Sequence, residues 1–326
     1  MYILDIENLE AGDIILTRSS SRESELIRKL SQCDYSHAII YVGVSSCIES
    51  DGLGVQSQNI QRILFENKSD VLVLRLKDDS FKNLLSGAIV FARQKIGTEY
   101  STTEARLARL EKSIAAKETN RQFCTRFVAQ AYLNSGIQIV SNPDYCSPND
   151  IQGSELLTII NNALRTASKA EIAFAQEESP LEKQKDIHNF IFENARTISG
   201  LDIQTFEQLS KYVLENPDKD NDITNIIEKS GYLEMWKGDV ESNPWHYDYK
   251  ELLKHYTDPR QRKEVGYFFA TTERETRERF YQTLDAVEFG YSFYEQRYFK
   301  VQIDLCKKLI DLSETREFVG LLAMTK

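Results

Sequence analysis

The sequence predicts an α+β first half followed by an all-helical second half. Short branched and apolar runs separated by turn residues fill the region before residue 100, which is typical of strands. An apolar helix begins at Cys124, and from about Glu155 long amphipathic stretches replace the strand pattern. Because 326 residues are comfortable for two domains, we expect one at residues 1–158 and a helical one at 159–326.

Four segments of the first half are predicted as strands. Residues 14–17 follow a turn at Gly12-Asp13, and residues 70–76 form a strongly apolar run. Residues 37–43 are apolar after His37, and residues 47–50 follow them after a tight connection, so the two segments predict a hairpin.

Helices are predicted where apolar residues recur at helical spacing. In the first half they cover residues 23–30, 84–95 and 103–117, and another runs from Cys124 to about residue 136. Residues 147–150 are predicted as a loop because Pro148 disfavours helix immediately before it.

Proline and glycine punctuation between Pro180 and Pro259 divides the second half into six to eight helices of ordinary length. Aromatic residues are dense between positions 236 and 299. We interpret them as rings filling a helical core, and a ligand or partner surface is the alternative.

Charge and hydropathy exclude several function classes. The formal charge is -10, and residues 1–160 carry 17 basic against 20 acidic side chains while residues 161–326 carry 23 against 30. Neither half is basic, so nucleic-acid binding and attraction to anionic lipid are disfavoured. No apolar run approaches the ~20 residues of a membrane span, and acids occupy the start, where an export signal is basic. We therefore expect a soluble, cytoplasmic protein, with secretion by a signal-independent route as a further hypothesis.

The cysteine pattern argues against disulfides and zinc. The chain has five cysteines, an odd number, and no CxxC pair. The four histidines do not cluster with them. We predict no metal and no cofactor.

Cys124 and His37 are the candidate nucleophile and base. A thiol with a free pKa of about 8.5 is mostly protonated at neutral pH, and a nearby imidazole or a helix N-terminus favours the thiolate. Cys124 begins a predicted helix, whose free N–H groups can also donate to an oxyanion. His37 begins a predicted strand, which suits a base held within reach of sulfur.

A third polar group must orient the imidazole, and two acids on the return strand are candidates. Glu49 and Asp51 share odd parity with His37, so an in-register hairpin places all three on one face. Asp51 lies more nearly opposite His37 in an ideal hairpin, whereas Glu49 needs a diagonal reach. Geometry alone favours Asp51 without excluding Glu49.

Six motifs follow one another along the first half of the chain. They are Gly12-Asp13-Ile14-Ile15, Ser36-His37-Ala38-Ile39-Ile40-Tyr41-Val42-Gly43, Cys47-Ile48-Glu49-Ser50, Gly97-Thr98-Glu99-Tyr100, Phe123-Cys124-Thr125 and Ser147-Pro148-Asn149-Asp150-Ile151. In this order they resemble the YiiX-like permuted papain-fold amidases, relatives of the NlpC-like cell-wall peptidases. The resemblance covers about residues 9–155 and implies a circularly permuted papain-like domain, in which an antiparallel sheet packs on the cysteine-bearing helix.

The resemblance implies roles for the matching positions. Cys124 is the expected nucleophile, His37 the base and Glu49 the orienting residue, with Asp51 as its rival; Tyr100 is expected to contact substrate. The chain departs from the family where relatives commonly follow the cysteine with Ser-Glu-Leu, because it has Thr125-Arg126-Phe127. The charged segment 103–117 resembles an insertion, which leaves substrate selection open.

The resemblance implies hydrolysis of a peptide or isopeptide amide through a Cys-His-Glu triad and an acyl-enzyme. The alternatives are an acyltransferase or thioesterase acting on lipid or acyl groups, and a non-catalytic protein that acts through its helical domain. The expected partners are accordingly a peptide, protein or acylated substrate, and a protein partner for residues 159–326.

Overall fold

The computed structural model of the chain describes residues 1–18, 33–109 and 121–325. Within them, two antiparallel sheets lie in the part before residue 170. The larger sheet has the order β5-β4-β3-β2-β7-β8, and the smaller has the order β6-β1-β9. The strands are β1 Tyr2–Leu4, β2 Ile14–Thr17, β3 His37–Gly43, β4 Ser46–Asp51, β5 Gly54–Asn59, β6 Leu64–Phe65, β7 Val71–Leu76, β8 Leu157–Ile159 and β9 Leu164–Thr166.

Helices cover the sheets. The α-helices of this region are α1 Leu85–Gln94, α2 Thr102–Arg109, α3 Cys124–Asn134, α4 Pro148–Gln152 and α5 Lys169–Gln176. Short 3-10 helices occupy Ile6–Asn8, Ile60–Arg62, Lys68–Asp70 and Asp79–Leu84. We call α3 the Cys124 helix.

The larger sheet is buried on both faces. Even-numbered side chains such as Ile14 and Ile40 pack against the Cys124 helix, and odd-numbered ones such as Ile15 and Ile39 pack in a second cluster with Leu4. A strand that is buried on both faces needs apolar residues at every position. This explains why residues 38–42 form an apolar run without alternation.

The chain divides into two compact units, Met1–Lys185 and Asp186–Lys326. The division of domains at residue 158 remains a prediction. The first unit extends beyond it because β8 pairs with β7 and β9 pairs with β1. Those two short strands were not predicted from the sequence.

The second unit, which we call the helical unit, contains helices and no strand among its described residues. Helix α6, Pro180–Ser199, begins just before the unit boundary. The helices that follow are α7 Phe206–Glu215, α8 Asp220–Ser230, α9 Met235–Ser242, α10 Tyr249–His255, α11 Pro259–Tyr294 and α12 Arg297–Thr325, with 3-10 helices at Pro217–Lys219, Tyr232–Glu234 and Pro244–His246. The prediction of a helical second half is confirmed, but α11 and α12, with 36 and 29 residues, are longer than predicted.

Two further predictions for the first half are confirmed and one is wrong. The strand at 14–17 and the helix at 84–95 are found as β2 and α1. The loop predicted at 147–150 is wrong, because α4 begins at Pro148. Ser147 caps that helix by accepting a hydrogen bond from the Asp150 amide at 3.2 Å, and proline is tolerated in a first helical turn.

Two predicted helices fall partly or wholly outside the described residues. The helix predicted at 23–30 lies outside them, and the one at 103–117 is described only as α2.

No helix among the described residues has an apolar stretch long enough to span a bilayer.

Candidate active site

The hairpin of β3 and β4 brings His37 to Glu49. Its register pairs Ile39 with Glu49 and Ile40 with Ile48, as in a regular antiparallel ladder. Glu49 therefore reaches diagonally across the hairpin, and its Oε2 lies 2.6 Å from His37 Nε2. Both side chains are largely shielded, with 23% and 10% of their surfaces exposed.

Asp51 is engaged elsewhere. Its Oδ1 accepts the Leu53 amide at 2.8 Å, and its Oδ2 accepts the Gln56 side-chain amide at 2.7 Å. Both carboxylate oxygens thus serve the turn between β4 and β5, where Asp51 pairs with Gly54. Burial raises the pKa of Asp51, and the bond from Leu53 opposes that shift.

Cys124 is the first residue of its helix and is 7% exposed. The residue before it, Phe123, is extended, with φ -138° and ψ 161°, so the chain enters the helix directly at the cysteine. The thiol is within hydrogen-bonding reach of the His37 side chain. One imidazole therefore contacts both the sulfur of Cys124 and the carboxylate of Glu49.

The pKa values of the two ionisable partners move in opposite directions. Burial acts to lower the pKa of His37, but its hydrogen bonds to Cys124 and Glu49, with the charges of both groups, hold the pKa well above its usual range. Burial acts to raise the pKa of Glu49, but the hydrogen bond and charge of His37 outweigh it, so the pKa is lowered. The site favours an imidazolium paired with a carboxylate.

Tyr100 lies beside the segment that leads into the Cys124 helix. It forms an isolated parallel bridge with Gln122, and the Ser101 amide donates to the Gln122 carbonyl at 2.7 Å. Its ring packs in a small cluster that includes Phe123. The structure thus places Tyr100 near the start of that helix.

Sequence reasoning missed several neighbours of the site. Gln58 on β5 donates a hydrogen bond to Glu49, which helps to lower the pKa of that carboxyl. Arg126, noted in the sequence only as a departure from the family pattern, is buried against Glu104 of α2. The Thr125 hydroxyl donates to the Cys146 carbonyl at 2.6 Å. The sequence signal for Arg126 was a charged residue among the apolar residues of the Cys124 helix, but no local pattern indicated Glu104 as its partner.

The other four cysteines differ from Cys124 in their surroundings. Burial raises the pKa of each of these thiols, and it raises the pKa of Cys306 to about 11. None of the five cysteines, all of them described, forms a disulfide bond. Among the described residues no group of three or more His, Cys, Asp or Glu side chains is arranged to hold a metal ion.

Part of the chain is similar to known proteins. The crystal structure of the metalloprotein YiiX from Escherichia coli is similar at 19% identity and a TM-score of 0.38, covering 47% of this chain and 97% of that chain. No curated protein matches the chain. The family model described as permuted papain-like amidase enzymes, YaeF/YiiX, matches residues 8–144. Residues 8–144 are thus similar to the permuted papain-like amidases, and this match indicates a cysteine peptidase- or amidase-like enzyme.

Proposed function

We propose that the first unit hydrolyses an amide bond of a peptide or protein through Cys124, His37 and Glu49. The observation that carries this proposal is the position of the His37 ring. It contacts the Cys124 thiol and, through Nε2, the Glu49 carboxylate 2.6 Å away. A nucleophile, a base and a group that orients the base are the parts that nucleophilic acyl transfer requires.

The proposed reaction starts from the thiolate of Cys124 and the imidazolium of His37. The sulfur attacks the carbonyl carbon, and the carbonyl oxygen becomes an oxyanion that accepts hydrogen bonds from the amides of the helix N-terminus. His37 gives its proton to the leaving nitrogen, the C–N bond breaks and the amine departs. The remaining species is a thioester between Cys124 and the acyl group.

The second half reverses the proton transfers. Neutral His37 takes a proton from water, the resulting hydroxide attacks the thioester, and the C–S bond breaks to release the acid. Glu49 keeps the ring oriented through both halves, because its hydrogen bond fixes Nε2 and leaves Nδ1 for the sulfur side. Glu49 itself remains a carboxylate.

Tyr100 is proposed as a substrate-contacting residue. Its backbone forms a bridge with Gln122, which lies two residues before Cys124 in the chain. A tyrosine there offers a phenol hydroxyl and an apolar ring to a bound peptide. Its role is distinct from that of the triad, because the proposed proton transfers do not pass through it.

Selective alkylation tests the assignment of Cys124. At about pH 6.5 a normal thiol is nearly all protonated, and burial raises the pKa of the other four thiols further. We expect iodoacetamide at this pH to modify Cys124 first, as measured by mass spectrometry of the peptides. Cys124→Ala should abolish this fast phase.

The matched control is Cys146→Ala, which removes a nearby buried thiol and should leave the fast phase intact. Fast modification of a different cysteine, or an unchanged fast phase in Cys124→Ala, would contradict the proposal.

The acyl group itself is identified by trapping the covalent adduct on Cys124 in a lysate and measuring its mass. A peptide mass supports amide hydrolysis, whereas a fatty-acyl mass supports the acyltransferase or thioesterase.

A further inference from the structure

Arg126 is a buried cation in the first turn of the Cys124 helix. Its side chain is 2% exposed, and the only carboxylate paired with it among the described residues is Glu104, 2.9 Å from Nη1 and 4% exposed. A positive charge at a helix N-terminus opposes the helix dipole, and burying it carries a desolvation cost. Helix stability therefore does not explain this residue.

The guanidinium connects the segments that surround Cys124. Nε donates to the Asp144 carbonyl at 2.9 Å, and Nη1 donates to the Arg121 carbonyl at 3.3 Å. The group also lies over two aromatic rings, 4.8 Å from the centroid of Phe123 and 4.9 Å from that of Tyr145. The Arg126 side chain thus binds both the segment that precedes Cys124 and the loop that follows the Cys124 helix.

The same loop contacts the helix a second time. Thr125 donates its hydroxyl to the Cys146 carbonyl at 2.6 Å, so residues on both sides of Tyr145 are bound to the first turn. On the other side, Glu104 belongs to α2, which follows the Tyr100 bridge. Arg126 and Glu104 therefore link the segment of Tyr100, the entry at Phe123 and the loop at 144–146.

We infer that Arg126 and Glu104 form a positioning pair that fixes Cys124 against His37. The inference rests on the proposed function of Cys124. The direction in which the chain enters the helix sets the position of the first residue, and Phe123, which makes that entry, is held by Arg126. A nucleophile that is displaced by about 1 Å can lose as much as a hundredfold in rate.

The decisive variant removes both charges and keeps the volume, as Arg126→Met with Glu104→Met. Replacing a buried ion pair by apolar residues is often neutral for stability, whereas removing one partner strands a buried charge. We expect the double variant to unfold at nearly the wild-type temperature. The alkylation of Cys124 by iodoacetamide should slow about tenfold at about pH 6.5, and its pH midpoint should rise.

A second, more conservative variant tests the same role in case the double variant does not fold. Arg126→Lys keeps the charge that faces Glu104 but lacks the planar fork that reaches two carbonyls and stacks on rings. We expect it to fold and to slow alkylation about threefold or more. The matched control is Arg75→Met with Asp13→Leu. In this pair Asp13 is also buried and 20% of the Arg75 side chain is exposed, with Arg75 Nε 2.7 Å from Asp13 Oδ1. The pair adjoins the end of β2 remote from His37.

The outcomes separate this inference from the proposed function. If wild-type Cys124 is no faster than the other cysteines, the proposed function fails. If wild-type Cys124 is fast and either Arg126 variant folds with an unchanged rate and pH profile, the positioning role is refuted. An equal slowing in the Arg75 and Asp13 control would also refute it, because the effect would then reflect general destabilisation.

Discussion

At the scale of single residues, side-chain length decides which acid contacts His37. The register places Ile39 opposite Glu49, so Asp51 is the residue in line with His37, as an ideal hairpin requires. Asp51 is nevertheless held by Leu53 and Gln56 within its turn. Glu49 has one more methylene than aspartate, which allows its carboxylate to cross the diagonal. Diagonal neighbours on a sheet lie within reach of long side chains.

Glu49→Gln should weaken the ion pair of the site. The glutamine keeps the shape of the side chain but loses the charge that helps to raise the pKa of His37. With the imidazolium less stable, the proton returns to sulfur and the thiolate fraction falls. We expect the alkylation rate of Cys124 at about pH 6 to fall at least about tenfold, with the acid limb of the pH profile moved to higher pH.

Asp51→Asn is the matched control for that experiment. Both substitutions exchange an acid for its amide on the same strand, two residues apart. The asparagine should change the alkylation rate by less than about twofold, since the contacts of Asp51 are within its own turn. If the asparagine variant lost reactivity and the glutamine variant kept it, the roles of the two acids would be reversed.

At the scale of elements, the turn between β4 and β5 depends on Gly54. This glycine has a φ of +110°, and a Cβ built on it would lie 2.6 Å from the Thr98 carbonyl oxygen. The Thr98 carbonyl oxygen also accepts a hydrogen bond from the Val55 amide at 2.7 Å, and the Val55 carbonyl accepts one from the Gly97 amide at 2.9 Å. The close approach of backbones therefore fixes the segment that leads to Tyr100.

Gly54→Ala should lower the free energy of unfolding by about 2 kcal/mol, because both the backbone conformation and the contact with Thr98 oppose a side chain. Urea unfolding followed by circular dichroism measures this loss. Gly52→Ala is the control in the same turn. No atom lies within 4 Å of a Cβ at Gly52, so we expect a change within about 0.5 kcal/mol. Equal losses in the two variants would show that Gly54 is not specially constrained.

The elements show how far the sequence determines the fold and the site. Strands β2, β3 and β7 are predictable because their apolar runs are bounded by turns. Strands β8 and β9 are not, because each has three residues and exists through its pairing with a distant strand. The proximity of His37 and Cys124 could be predicted from the order of the sequence motifs. The pairing of Arg126 with Glu104 could not, because it depends on packing that no local pattern encodes.

At the scale of the whole molecule, the two units respond to pH in opposite ways through one histidine each. In the first unit the pKa of His37 is raised, so its contribution to stability is complete below the ordinary histidine pKa of about 6.5 and is lost as pH rises through the folded value. In the helical unit His188 is 6% exposed, and burial lowers its pKa to about 4. The contribution of neutral His188 to the stability of the helical unit is therefore lost as the pH falls.

His188 lies in an aromatic cluster. Its ring centroid is 5.6 Å from that of Phe206 and 6.1 Å from that of Tyr232. Between the folded pKa of about 4 and the unfolded value of about 6.5, the unfolded chain binds a proton at this residue that the folded chain excludes. Lowering the pH from about 7 to about 4.5 should therefore cost the helical unit roughly 2 kcal/mol at this residue.

His188→Leu should remove that part of the pH dependence, because leucine keeps the site apolar and cannot bind a proton. Both tryptophans, Trp236 and Trp245, belong to the helical unit, so their fluorescence reports the unfolding of that unit in urea. The quantity to compare is the loss of unfolding free energy between about pH 7 and about pH 4.5. This loss should be roughly 2 kcal/mol smaller in the variant than in the wild type. Equal losses in the two proteins would mean that protonation of His188 does not limit the acid stability of the helical unit.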